Sequence, residues 1–290
     1  MKDFSINREY KDRLFVFLFG NEEYKENALS LYNAVNGTDY DNPNDLTFYT
    51  IQNVIYIRMK NDVAVLFDSR LSLWEHQSTF NPNMPLRGMM YFGKLYDKYI
   101  SETHKKIYGK NLVKIPTPQY YVFYNGTDNR PAVENLRLSD SFESPDKSGD
   151  FEWTARMYNL NSGKNEELLN NCVALSGYMT FVNAVRSNIK AGISKDAAVD
   201  HAVRECIGKG ILSDIFLRHR AEVVDMILEE FNEELFRESM MEEGYEKGRT
   251  EGRESTIYSL VQSGKLTREN GAEELGITVE ELDCRLMENR

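Results

Sequence analysis

The stretch Asn61-Asp-Val-Ala-Val-Leu-Phe-Asp-Ser-Arg-Leu-Ser-Leu-Trp-Glu-His-Gln-Ser-Thr-Phe-Asn-Pro-Asn-Met-Pro-Leu-Arg-Gly-Met-Met-Tyr91 decides how the rest of the chain is read. From Asp62 the residues alternate, with Asp62, Ala64 and Leu66 on one side and Val63, Val65 and Phe67 on the other. A period of two is the mark of a strand, because successive side chains leave opposite faces of the pleat. Asp68-Ser69-Arg70 supplies turn chemistry, and Leu71 to Gln77 runs back as a second strand. The two strands make a hairpin. Glu75 and Gln77 then share one face, while Trp74 and His76 share the other.

That hairpin brings Asp62 from one strand towards Glu75 and Gln77 from its neighbour. Two converging carboxylates suit a hard divalent cation, Mg²⁺ or Mn²⁺, which takes oxygen ligands and keeps some of its waters. A cation held there polarises a phosphodiester oxygen, activates water and neutralises charge on the leaving oxygen. Gln77 is no base, but its amide can orient water or phosphate. Each residue also has a bland reading, Asp62 as a strand-entry residue and Glu75 and Gln77 as solvated strand side chains. Asp68 competes for the metal role through its strand parity. Asp62 is preferred, since Asp68 falls where the hairpin should turn.

A longer pattern supports the metal reading. Asn61-Asp62-Val63, Glu75-His76-Gln77-Ser78-Thr79, Asn81-Pro82-Asn83-Met84-Pro85-Leu86-Arg87, Tyr91 and Tyr124-Asn125-Gly126 together resemble the recombination-promoting nuclease (Rpn) family, PD-(D/E)XK nucleases also labelled transposases. The resemblance implies a restriction-endonuclease-like α/β core of order αβββαβ. It implies an Mg²⁺-dependent endodeoxyribonuclease, acting in recombination, mobile-element biology or defence. It makes Asp62 and Glu75 the metal-binding and catalytic carboxylates, and it sets Gln77 where the wider superfamily usually has lysine. Asp12 is a candidate for the further acidic residue that the superfamily sometimes supplies from its first helix.

The flanking segments read accordingly. Asp12 to Asn36 has helical periodicity, broken at Gly20-Asn21 and stopped at Asn36-Gly37. Leu46 to Met59 is rich in β-branched and aromatic residues and should be the first strand or strand pair. Pro85 suits a helix N-terminus, and Leu86 to Ile100 continues the helix. Tyr120 to Tyr124, between Pro118 and Asn125-Gly126, reads as a buried strand. On the helix, Arg87 and Tyr91 share a face. Arg87 suits bidentate phosphate contact and Tyr91 a hydrogen bond or base stacking; the alternatives are an arginine tied to a neighbouring carboxylate and a core tyrosine. Lys94 and Lys98 read as solvated. His76 should pack in the core, and His104, His201 and His219 have no partner at a metal-ligand spacing. Asn81 to Pro85 is a turn-rich connector, a candidate loop over the site.

Residues 1–138 are therefore taken as the nuclease core, 139–240 as a core-completing strand and helical extension, and 241–290 as an acidic tail. In the middle region the expectations are a linker over 139–150, a strand over 151–160 and a helix over 166–189. Ser194 and Ser213 should cap helices over 196–208 and 214 to about 240. Gly244, Gly248 and Gly252 recur four apart, and Lys265 to Arg290 resembles a small helix-turn-helix with Thr278 as cap. Its second helix begins Val279-Glu-Glu-Leu-Asp283, too acidic to read DNA, so partner binding or a homo-oligomer through these helices is expected.

The net charge of −11 does not bar DNA as partner. Residues 222–254 carry 12 acidic and 4 basic side chains, residues 255–290 carry 7 and 4, and residues 1–221 balance at 27 each. The acidity belongs to the tail, which leaves room for a local basic surface. A hydrophobic content of 41% suits a globular core. Cys172, Cys206 and Cys284 lack the spacing of a zinc site or disulfide framework, and no apolar run suggests a signal peptide or membrane span. A cytoplasmic enzyme without membrane partners is the expectation. The alternative is a weak or inactive nuclease fold that binds nucleic acid or protein.

Overall fold

The computed structural model describes residues 14–49, 62–146 and 148–288. Asp12, Asn61 and most of the strand expected over 46–59 lie outside these residues. The chain divides into two compact units, one ending at Phe231 and the other beginning at Asn232.

The first unit is α/β, built on a six-stranded mixed sheet. Its strands are β1 (Thr47–Phe48), β2 (Asp62–Phe67), β3 (Arg70–Gln77), β4 (Thr117–Tyr124), β5 (Val133–Arg137) and β6 (Thr154–Asn159), in the spatial order β1-β2-β3-β4-β6-β5. β1, β2 and β3 pair antiparallel; β3, β4 and β6 run parallel; β5 closes the far edge antiparallel to β6. The expected hairpin is present. Asp68 and Ser69 both have positive φ, 46° and 56°, the conformation that a two-residue turn matching strand twist requires. Arg70 is already the first residue of β3.

Alternation along the strands sorts side chains onto two apolar layers. Val63, Val65, Phe67, Trp74, Tyr121 and Phe123 face one core. It is completed by α1 (Leu14–Phe19), α2 (Lys25–Asn36), α5 (Val173–Lys190), α6 (Lys195–Gly208), α7 (Ser213–Arg218) and the start of α8 (Arg220–Gln262). The break at Gly20-Asn21 is real, and Gly37 closes α2 in the left-handed conformation, with φ 64°. The other face carries Ala64, Leu71, Leu73, Tyr120, Val122, Tyr124 and Met157, and α3 (Met84–Glu102) covers it with Met84, Tyr91, Phe92 and Leu95. Pro85 sits in the first turn of α3, where its missing N–H costs nothing.

Several boundaries differ from expectation. The helix expected over 166–189 is two, α4 (Glu166–Asn170) and α5, because Cys172 is extended between them. The apolar spacing runs through Leu168, Cys172 and Leu175, all buried, so periodicity hides the break. Ser213 is the first residue of α7 rather than its cap; Leu212 takes that place with φ 48°. The helix expected from 214 to about 240 is interrupted at His219 and then runs on as α8 through the glycine repeat. β5 was missed, since its Val-Glu-Asn-Leu-Arg sequence buries only Leu136.

The second unit contains the end of α8 with α9 (Arg268–Leu275) and α10 (Val279–Glu288), packed around Ile257, Tyr258, Val261, Ala272 and Leu282. Thr278 caps α10 as expected. Its hydroxyl accepts from the Glu281 N–H at 3.2 Å while the Glu281 carboxylate accepts from the Thr278 N–H at 3.1 Å.

Candidate functional site

The register of the hairpin puts Asp62 directly opposite Glu75, and both side chains leave the sheet on the face covered by α3. Side chains so opposed have Cβ atoms about 5 Å apart. Glu75 is fully buried, and Asp62 is 4% exposed. Gln77, two residues on along β3, is buried beside them.

Glu75 accepts from Gln77, Arg87 and Tyr120. Its Oε1 accepts from Gln77 Nε2 at 2.5 Å and from Arg87 Nη2 at 2.7 Å, and its Oε2 accepts from the Tyr120 hydroxyl at 2.7 Å. Of these only Arg87 is charged, so it is the one that offsets the cost of burying a carboxylate. Desolvation, then the charges of Glu75 and Asp62, hold the Tyr120 hydroxyl well above its usual pKa. It therefore stays protonated and serves as a donor.

Arg87 reaches Glu75 because α3 lies unusually close to the sheet there. The next residue is Gly88, and a Cβ on it would stand 2.3 Å from the Tyr120 ring and 3.1 Å from the Trp153 indole nitrogen. Only glycine allows that approach. Tyr91, a turn further on, is buried in the apolar layer beneath α3, so its ring lies within the protein and not on an open surface. Arg87 keeps partial exposure, at 28% of its side chain.

The remaining motif residues frame the site. His76 points to the opposite face, stacked on Phe15 with ring centroids 5.5 Å apart and with its Nε2 3.0 Å from the Tyr178 hydroxyl. Gly126 follows β4, and a Cβ there would meet the Ser78 carbonyl oxygen at 2.4 Å, so the loops leaving β3 and β4 pack backbone against side-chain-free backbone. The Arg130 guanidinium lies over the Phe80 ring, 3.6 Å from its centroid, and ties the Asn81 connector to the segment after β4. Asp68 is at the other end of the hairpin, exposed, accepting from the Tyr40 hydroxyl at 2.7 Å.

Among the described residues no three His, Cys, Asp or Glu side chains gather as a metal-binding group. What the site offers is a buried all-oxygen pair, Asp62 and Glu75, set opposite each other in the hairpin register, with Arg87 on Glu75. That donor set fits Mg²⁺ or Mn²⁺, which need only one or two protein carboxylates when waters and phosphate complete the shell. It does not fit a soft, thiolate-seeking metal: Cys172 and Cys206 are buried elsewhere and all three cysteines are free.

Two features escaped the sequence reading. Tyr120 and Gly88 were findable only by knowing the register of β4 and the seat of α3. The basic segment between α3 and β4 was passed over too, although its signal lies in the sequence: no acidic residue occurs from Thr103 to Thr127, and Lys105, Lys106, Lys110 and Lys114 lie there together. Tyr108 in this loop is 99% exposed and Leu112 82%. A separate groove of about 830 Å³ beside α2 is lined by Glu26, Asp39, Asp41, Glu166 and Glu167 with no basic side chain. Its charge repels phosphate, and none of the candidate site residues lines it.

No family model, curated protein or solved structure matches the chain.

Proposed function

We propose that the protein is a metal-dependent endonuclease with a PD-(D/E)XK-type core, hydrolysing phosphodiester bonds of DNA in recombination, mobile-element biology or defence. The observation that carries the reading is the register pairing of Asp62 with Glu75, buried on one sheet face beside Gln77. Asp62 and Glu75 would hold Mg²⁺ or Mn²⁺, which supplies Lewis-acid polarisation of the phosphate and a more acidic water. Gln77 and Tyr120 fix the Glu75 carboxylate by hydrogen bonds. Arg87, on the same carboxylate and part exposed, is a cation placed to meet a phosphate. Exclusion of bulk water by α3 strengthens each of these interactions. The lysine loop before β4 gives the phosphate backbone a basic, aromatic-bearing surface despite the acidic tail.

A second reading rests on a specific observation: both oxygens of Glu75 already have protein donors. On that reading the nuclease fold is inactive and serves to bind nucleic acid or protein. Among the described residues no helix is long and apolar enough to cross a membrane. Cytoplasmic location and self-association through the C-terminal helices belong to the proposal. Incubation of the full chain with supercoiled plasmid distinguishes the readings. Nicking or linearisation with Mg²⁺ or Mn²⁺, suppressed by EDTA and reduced by about three orders of magnitude in Glu75→Gln, is expected. Cleavage that persists in EDTA, or none with either metal, refutes the enzyme.

A further inference from the structure

Gln77, Tyr120 and Arg87 are not equivalent as donors to Glu75. Gln77 and Tyr120 are neutral, buried and fixed in the sheet, whereas Arg87 is charged, longer and part exposed at the first turn of α3. A divalent cation between Asp62 and Glu75 would bring two positive charges against the guanidinium in a buried setting, where Coulomb repulsion is weakly screened. The neutral donors suffer no such repulsion. Glu75 Oε1 also has too few lone pairs to serve Gln77, Arg87 and a cation together.

Resting on the nuclease reading, we propose that Arg87 is an exchangeable counter-ion. It neutralises Glu75 before metal binds, gives up its place on Oε1 to the cation, and turns its freed guanidinium to the substrate phosphate. Tyr120 and Gln77 stay on Glu75 throughout and are positioning residues. The exchange makes phosphate binding depend on metal, because the phosphate-binding cation is occupied until the metal arrives. It also predicts a sign that a purely supporting arginine would not give: removing Arg87 should strengthen metal binding while weakening DNA binding.

The test is calorimetric titration of the full chain with Mn²⁺ alone at pH 8, comparing wild type with Arg87→Gln, each shown to be folded by circular dichroism. About tenfold tighter Mn²⁺ binding in Arg87→Gln is expected, with weaker binding to a short DNA duplex in the presence of saturating Mn²⁺ and a salt slope smaller by about one. Equal or weaker Mn²⁺ affinity in the variant overturns the exchange while leaving the metal site in place. Absence of Mn²⁺ binding by the wild type overturns the nuclease reading and the exchange with it. A measurement on the wild type alone guards against a variant that fails to fold: ¹⁵N spectra of the arginine side chains should show one guanidinium changing its shift and exchange on addition of Mg²⁺. A full set of unmoved arginine signals at saturating Mg²⁺ overturns the proposal.

Discussion

The two ends of the β2–β3 hairpin carry the same residue type at the same strand parity and use it in opposite ways. At the open end Asp62 is buried and faces Glu75; at the turn Asp68 is exposed, in a left-handed conformation, and accepts from Tyr40. About 20 Å of strand separates them. Burial explains the difference. At the open end α3 is seated on the sheet through Gly88, so charge there is desolvated and must be compensated, by Arg87 or by a cation. At the turn, water screens the carboxylate and the aspartate serves backbone geometry. Sequence position alone does not make a carboxylate functional; the layer packed over it does.

This contrast can be broken most severely along α3, which runs from the open end towards the turn end. Gly88→Ala places a methyl group into the Tyr120 ring and should cost about 1–3 kcal/mol in denaturant unfolding. Gly93→Ala, five residues later with nothing within 4 Å of the new Cβ, should instead add about 1 kcal/mol. Equal effects at the two glycines would mean that α3 does not rest on the site. A smaller effect sharpens the turn end. Ser69 sits at φ 56°, so Ser69→Gly should relieve backbone strain and raise stability by about 1 kcal/mol. The variant should leave metal affinity unchanged. A shift in Mn²⁺ binding on changing Ser69 would show that the two ends are coupled.

Much of the hairpin could be read directly from alternation. The faces assigned to Asp62, Ala64 and Leu66 against Val63, Val65 and Phe67 are those in the structure, and His76 lies in the core as its parity requires. The preference for Asp62 over Asp68 followed from the turn, and the turn is where it was placed. What could not be read was anything set by register between distant segments. Tyr120 joins the site only because β4 runs parallel beside β3, with Tyr120 opposite Leu73 and Val122 opposite Glu75. The pairing of Arg87 with Glu75 depends on a helix-to-sheet distance that no local pattern encodes. Polar edge strand β5 and the break between α4 and α5 were invisible for a related reason: tertiary pairing and a single extended residue decide them. In the second unit, by contrast, the caps at Thr267 and Thr278 are local chemistry, and the two short helices follow from them.

The central claim, that the open end of the hairpin holds the metal for phosphodiester hydrolysis, is tested most directly by assaying Asp62→Asn and Asp68→Asn side by side. Each variant, confirmed as folded, is mixed with plasmid DNA and Mn²⁺ and its cleavage rate compared with wild type. The account predicts loss of about three orders of magnitude in Asp62→Asn, because one of the two metal carboxylates is gone, and a rate within about twofold of wild type in Asp68→Asn. An active Asp62→Asn beside an inactive Asp68→Asn would contradict it and move the chemistry to the turn.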